Sequence, residues 1–162
     1  MWPVLVGLTL VVALLDQASK AWLVGFLRPR ESVDVLGDWV RLVHGQNSGG
    51  LFGLFAGQAA IFAIASIGVI ALILVYHARS GRSPLLSVAL GLLLGGAVGN
   101  LLDRLTRGYV VDFVDAGIGD LRWYTFNVAD AAISAAIVLL IVLSIWPNPT
   151  WPRTRRQASP GG

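Results

Sequence analysis

The sequence predicts an all-α membrane protein built on four transmembrane helices. Three observations carry that reading. Apolar residues fill 56% of the 162 positions and charged residues only 13%, against about 45–50% and about 25% in an ordinary soluble domain. Mean hydropathy is +0.73. Four stretches also approach the roughly 20 apolar residues that a helix needs to cross the hydrocarbon.

The first stretch runs from about Val4 to Leu27 and is interrupted by Asp16 and Lys20. It has no basic leading region and no small-residue cleavage site, so it is read as a retained helix. The second runs from about Leu54 to Tyr76, the third from about Leu85 to Leu102, and the fourth from about Val128 to Trp146. Together they form one membrane domain over residues 1–146. The tail after Trp146 carries Pro147, Pro149, Pro152 and a Pro160-Gly161-Gly162 end, a composition expected to be disordered.

The connections predict a little more structure. Ser32–Leu36 and Trp39–His44 alternate apolar and polar side chains around Gly37-Asp38, the pattern of a small hairpin. Gly45–Gly50 reads as a turn-rich lead into the second helix. Val110–Phe113 reads as a loop just past the third helix, and Leu121–Phe126 as a short strand.

Charge distribution suggests an orientation. The second-to-third connection carries Arg79 and Arg82, and the tail carries Arg153, Arg155 and Arg156, with no acid among them. The longer loops, about 28–53 and 103–127, mix six arginines with Glu31, Asp34, Asp38, Asp112, Asp115 and Asp120. Short basic segments mark the cytoplasmic side. Both termini are therefore expected inside, with the two long loops outside.

Composition also excludes function classes. The surplus of three positive charges lies at helix ends, which fits anchoring to anionic lipid. No basic stripe is interleaved with aromatics, so nucleic acid is not expected as a partner. With no cysteine there are no disulfides, thiol nucleophiles or thiolate metal sites. His44 and His77 lie too far apart in sequence to suggest a histidine metal site.

Ionisable groups at membrane depth cost several kcal/mol, so each is a functional candidate. Asp16 and Lys20, four apart, share a helical face within ion-pair reach. Their plain structural reading is a buried pair with a snorkelling lysine. Asn47-Ser48-Gly49-Gly50 could simply turn or cap the chain. Gly91, Gly95 and Gly99 form a small-residue seam for close helix contact. Beside it, Gly96, Asn100 and Arg104 follow at steps of four, with Asp103 three after Asn100. Arg104 could only mark a helix end. Asn127 and Asp130 have the spacing of a capping box at the head of the fourth helix.

The combination says more than its parts. Asp112 and Asp130, eighteen positions apart, both fall at the same interface. Two neighbouring carboxylates cannot both ionise, so one keeps a proton while the other acts as base. Such a pair can activate water against an amide carbonyl, while a nearby Asn and Arg hold the peptide. The residues thus point to an intramembrane aspartyl protease. A transporter would space its acids through the membrane, and an inert scaffold would leave the acid pair and Asn100 unexplained.

These blocks together resemble the lipoprotein signal peptidase (signal peptidase II) family. The match includes Asp16 with Lys20, Asn47-x-Gly49, Gly95-Gly96-Ala97-x-Gly99-Asn100-x-x-Asp103-Arg104, Val110-Val111-Asp112-Phe113, and Phe126-Asn127-x-Ala129-Asp130. It runs from Asp16 to the end of the fourth helix, in family order and spacing. One departure is that Gly50 and Leu51 stand where the family commonly has alanines. The resemblance implies four helices, a small periplasmic β-cradle and a short periplasmic helix, in the bacterial cytoplasmic (inner) membrane. It implies Asp112 and Asp130 as the catalytic pair. Substrate binding or support of the pair would fall to Asp16, Lys20, Asn47, Gly49, Asn100, Asp103, Arg104 and Asn127. The implied substrate is a bacterial prolipoprotein whose cysteine carries diacylglycerol, cut just before that cysteine. A monomer in contact with membrane lipid is expected, with no metal or organic cofactor.

Overall fold

The computed structural model describes residues 1–49, 57–79 and 83–146. Gly50 and Leu51, the start of the second apolar stretch, the turn at Gly81-Arg82 and the tail from Pro147 lie outside the described residues.

Four long helices run through the chain: α1 (Trp2–Phe26), α2 (Ala59–Arg79), α3 (Pro84–Arg107) and α4 (Val128–Ile145). Each is long and apolar enough to cross a membrane. At about 1.5 Å per residue, even the 18 residues of α4 span roughly 27 Å. The protein is a multi-pass membrane protein. α3 is the central post: it packs against α1, α4 and α2 and is the most buried of the four. The other three present aliphatic faces outward, such as Leu14, Ile64, Leu72 and Val138. In water such faces would drive aggregation; in lipid they are simply solvated.

Local chemistry sets the helix ends. Pro84 opens α3, and the Ser83 hydroxyl accepts from the Leu86 amide at 3.3 Å. Gly108, in the left-handed region at φ 76°, closes it. The third helix thus runs five residues further at its C-terminal end than the sequence reading, and Asp103 and Arg104 lie inside it rather than in the loop. Hydropathy stops at the first charge, whereas the backbone continues to the first glycine able to turn it.

Two glycines of α3 matter most for the site. A Cβ on Gly99 would lie 2.5 Å from Oδ2 of Asp16, and one on Gly96 would lie 2.5 Å from the Ala129 carbonyl oxygen. The small-residue seam therefore brings α1 against one side of α3, while Gly96 admits α4 on another.

One end of the bundle carries a four-stranded antiparallel sheet in the order β1 (Ser32–Leu36), β2 (Val40–Asn47), β3 (Val110–Ile118), β4 (Leu121–Arg122). The β1–β2 hairpin turns at Gly37, φ 52°, as its alternation predicts. Two readings are corrected here. β2 continues through Gly45–Asn47, which the sequence suggested as turn. Val110–Phe113, read as loop, begins a nine-residue strand. Asn47 pairs with Val110 and Gly45 with Asp112. These partners are remote in sequence, and Val110–Phe113 is buried on both faces, so no alternation announced it. The Leu121–Phe126 strand shrinks to Leu121–Arg122, with Phe126 held opposite Val114 by an isolated bridge. No further short helix appears among the described residues.

Val111 and Phe113 bury against Leu23 of α1 and Leu27, the residue that caps its end, which fixes the sheet to the bundle. At the other end, Leu5, Ile73, Leu86, Leu90 and Leu94 form an apolar cluster.

Candidate active site

The site is built around one buried cation. Lys20, fully buried, places Nζ 2.7 Å from Asp16 Oδ2, 3.0 Å from Asp103 Oδ2 and 3.0 Å from Asn100 Oδ1. Three N–H donors thus meet three acceptors. The snorkelling reading fails because two carboxylates and an amide hold the ammonium inside. Asp16 also accepts the Ala129 amide at 2.9 Å, tying α1 to α4. Asp103 accepts the Val111 amide at 3.0 Å, tying α3 to β3, and pairs with Arg107. Gln17, which the sequence reading missed, donates to Asp103 at 3.2 Å and to the Gly99 carbonyl at 3.1 Å.

The ammonium fixes the orientation of Asn100. An ammonium cannot accept, so the amide oxygen must face it and the NH2 must face away. That NH2 donates to Asp130 Oδ1 at 2.9 Å. Asn127 sits at the next junction. Its side-chain oxygen accepts the Asp130 amide at 2.9 Å, and its backbone N–H donates to Asp130 Oδ2 at 3.2 Å. This is the capping box that the spacing predicts. Its NH2 donates to Asp112 Oδ1 at 2.8 Å and to Asn100 Oδ1 at 3.2 Å. Asn127 therefore caps a helix and touches both acids.

Asn47 likewise has two roles. Its oxygen accepts the Gly49 amide at 3.0 Å, the turn that its sequence suggests, while its NH2 donates to Asp112 Oδ2 at 3.1 Å. The Gly49 carbonyl accepts from Arg104 at 3.2 Å. Arg104 also reaches the Asn100 carbonyl at 3.4 Å, and its guanidinium stands 5.5 Å from the centre of the Phe62 ring.

Asp112 and Asp130 open onto the same cavity, of about 450 Å³, between α2, α3 and α4. Apolar side chains line most of it, including Phe62, Val69, Leu93, Ile133 and Ile137, with Asn47, Asn100, Arg104 and Tyr124 near the acids. A second cavity of about 270 Å³ lies along Gly45–Gly49 and Thr125; Asn47, Asp112 and Tyr124 line both. Asp16, Lys20 and Asp103 line neither and stand behind the acids. Burial, and then the neighbouring charge of Asp130, push the Asp112 carboxyl up to about 7, against the opposing hydrogen bonds from Asn47 and Asn127. Such an acid is still about half protonated at neutrality, where an ordinary carboxyl has lost its proton.

Tyr124 was not singled out from sequence. A lone tyrosine in a loop gives no signal until the fold places it beside the acids. Tyr124 lines the cavity with both acids, and burial and the two carboxylates push its pKa upward. Among the described residues, no group of three or more His, Asp or Glu side chains could hold a metal ion.

A family model described as signal peptidase (SPase) II matches residues 8–146. The chain is 42% identical over 137 residues to a lipoprotein signal peptidase of Syntrophomonas wolfei, covering 85% of this chain and 89% of the relative. It is 44% identical over 146 residues to one of Methylorubrum extorquens, covering 86% and 84%. A bacterial membrane enzyme solved by the in meso method at 2.3 Å superposes with a TM-score of 0.81, 26% identity and 87% coverage of both chains.

Proposed function

The chain belongs to the signal peptidase II family, and from that premise we propose that it is an aspartic endopeptidase removing signal peptides from diacylglyceryl-modified bacterial prolipoproteins. Cleavage falls just before the lipidated cysteine. The observation that carries the reading is the shared cavity: two carboxylates, both contacted by Asn127, at the polar end of an apolar groove between membrane helices. The apolar part suits the helix of a signal peptide. The acids suit a scissile bond near the interface.

The hydrogen bonds support one placement of the protons. Asp130 accepts from the Asn100 side chain and the Asn127 backbone. Two donors aimed at its oxygens suit the form that serves as base. Asp112, pushed to about 7, serves as acid. Asp130 takes a proton from water while the water oxygen bonds to the scissile carbonyl carbon. Asp112 gives its proton to the carbonyl oxygen, forming a neutral gem-diol. Asp130 then passes its proton to the leaving nitrogen as the C–N bond breaks, and one diol proton returns to Asp112. Both acids finish as they began.

Within this reading Arg104 and Asn47 hold the substrate backbone, while Lys20, Asp16, Asp103, Asn100 and Asn127 hold the acids. The sheet faces the periplasm and both termini the cytoplasm, supported by the short basic segments at Arg79-Arg82 and in the tail. The protein sits in the inner membrane as a monomer.

The test is direct. Purified protein in detergent is mixed with a diacylglyceryl-modified prolipoprotein and the size shift is followed. The native chain is expected to process it; Asp112→Asn and Asp130→Asn are expected not to. Unchanged turnover in either variant removes that residue from the catalytic role.

A further inference from the structure

Besides the two acids and Arg104, the cavity holds one more ionisable side chain, the phenol of Tyr124. Tyr124 belongs to the segment joining β4 to α4. The Trp123 amide donates to the Ala116 carbonyl at 2.6 Å, and the Phe126 amide to the Val114 carbonyl at 3.0 Å. The Phe126 carbonyl in turn accepts the amides of Phe113 and Val114 at 3.0 and 2.8 Å. The backbone is thus clamped to β3 on both sides of Tyr124. Its half-buried side chain lines both cavities where they meet, beside Asp112 and Asn47. Asp130 lines the first of these cavities with it, so the phenol and both carboxyls share one enclosed space. A neutral phenol facing a carboxylate is the donor.

We propose that Tyr124 is a positioning residue for hydrolysis: its O–H holds the Asp130 carboxylate as the base and so keeps the proton of the acid pair on Asp112. This rests on the aspartate-pair reading and deepens it. The other charged groups acting on these two residues are Asp112 of β3, Arg104 of α3, and Lys20 and Asp16 of α1. Lys20 is held by Asp16 and Asp103 and reaches Asp130 through Asn100, whereas Tyr124 lies in the cavity with both acids. Burial together with the two nearby carboxylates pushes its own pKa upward, so the phenol remains a donor across the working pH range.

The experiment measures kcat, KM and the pH profile of full-length wild type and Tyr124→Phe in detergent, on a diacylglyceryl-modified prolipoprotein. Phenylalanine keeps the ring and removes only the donor. A hydrogen bond to a charged group is strong enough that kcat is expected to fall about tenfold. KM is expected to stay within about twofold, and the acidic limb of the profile to move up by about one pH unit, because an unsupported base protonates sooner. Site-specific 3-fluorotyrosine at position 124, a stronger donor, is expected to move that limb down while keeping turnover. An unmoved acidic limb in both proteins overturns the proposal, even if Tyr124→Phe melts earlier. Asp130→Asn is run alongside. If it is inactive while Tyr124→Phe matches wild type, the tyrosine proposal falls and the aspartate pair stands. If Asp130→Asn is active, the pair itself falls.

Discussion

Lys20 donates to the side-chain oxygen of Asn100 at 3.0 Å, and through that contact a cation absent from the cavity aims an amide at Asp130. An asparagine alone could flip; one whose oxygen faces an ammonium cannot. The ion cluster behind the acids thereby sets their hydrogen-bond polarity.

Lys20→Met is therefore expected to damage both stability and turnover. It leaves Asp16 without its cation in the membrane interior and Asp103 with only Arg107. Removing one partner of a buried pair costs about 3–5 kcal/mol. For a chain of this size that is a melting-point drop of roughly 10 °C in detergent. A drop under about 2 °C with full activity would show that the cluster organises nothing.

Gly99→Ala tests the contact between α3 and α1. The added Cβ would sit 2.5 Å from Asp16 Oδ2, so the Asp16–Lys20 cluster must shift. Overpacking of this kind costs about 1–3 kcal/mol. Gly7→Ala, whose Cβ would meet nothing within 4 Å, is the control. Equal melting temperatures for the two variants would contradict the close approach.

The pH dependence follows from Asp112. Its folded pKa, about 7 against an ordinary 3.8, means that the native state binds the extra proton. Stability is then fullest below pH 3.8 and is lost as pH rises through 7. In Asp112→Asn that slope is expected to flatten, read as melting temperature between pH 4 and 8. If Asp112 is also the acid, kcat/KM of the wild type falls above about pH 7. Parallel stability curves for wild type and variant would place the Asp112 carboxyl near its ordinary value.

Arg104→Ala removes the contacts to the Gly49 and Asn100 carbonyls and the face of Phe62. Turnover is expected to fall at least tenfold with the helical circular dichroism unchanged. Lysine, which lacks the planar fork, should restore little. Wild-type turnover in Arg104→Ala would make this residue an ordinary helix-end anchor.

Much of this was legible beforehand. The four helices come from hydropathy, the hairpin from alternation around Gly37-Asp38, and the α4 cap from Asn127 and Asp130. The acid pair stood out because carboxylates are costly near lipid. What stayed hidden was whatever depends on distant pairing. β3 has no period of its own, since Val110–Phe113 is covered on both faces. Asp103 could be placed on the face of Asn100, but its bonds to Lys20 and the Val111 amide join three elements. Tyr124 and Gln17 matter only through neighbours that the fold supplies.

Asn127 ends one thing and begins another: it starts α4 and completes the grip on Asp112. Asn127 caps, and Asp130 opens, the last of the described helices. A truncated chain that stops after β4 holds Asp112 but neither of these residues. Under the aspartate-pair reading, hydrolytic capacity arrives only with the final hydrophobic segment, so incomplete chains pose no threat to neighbouring polypeptides.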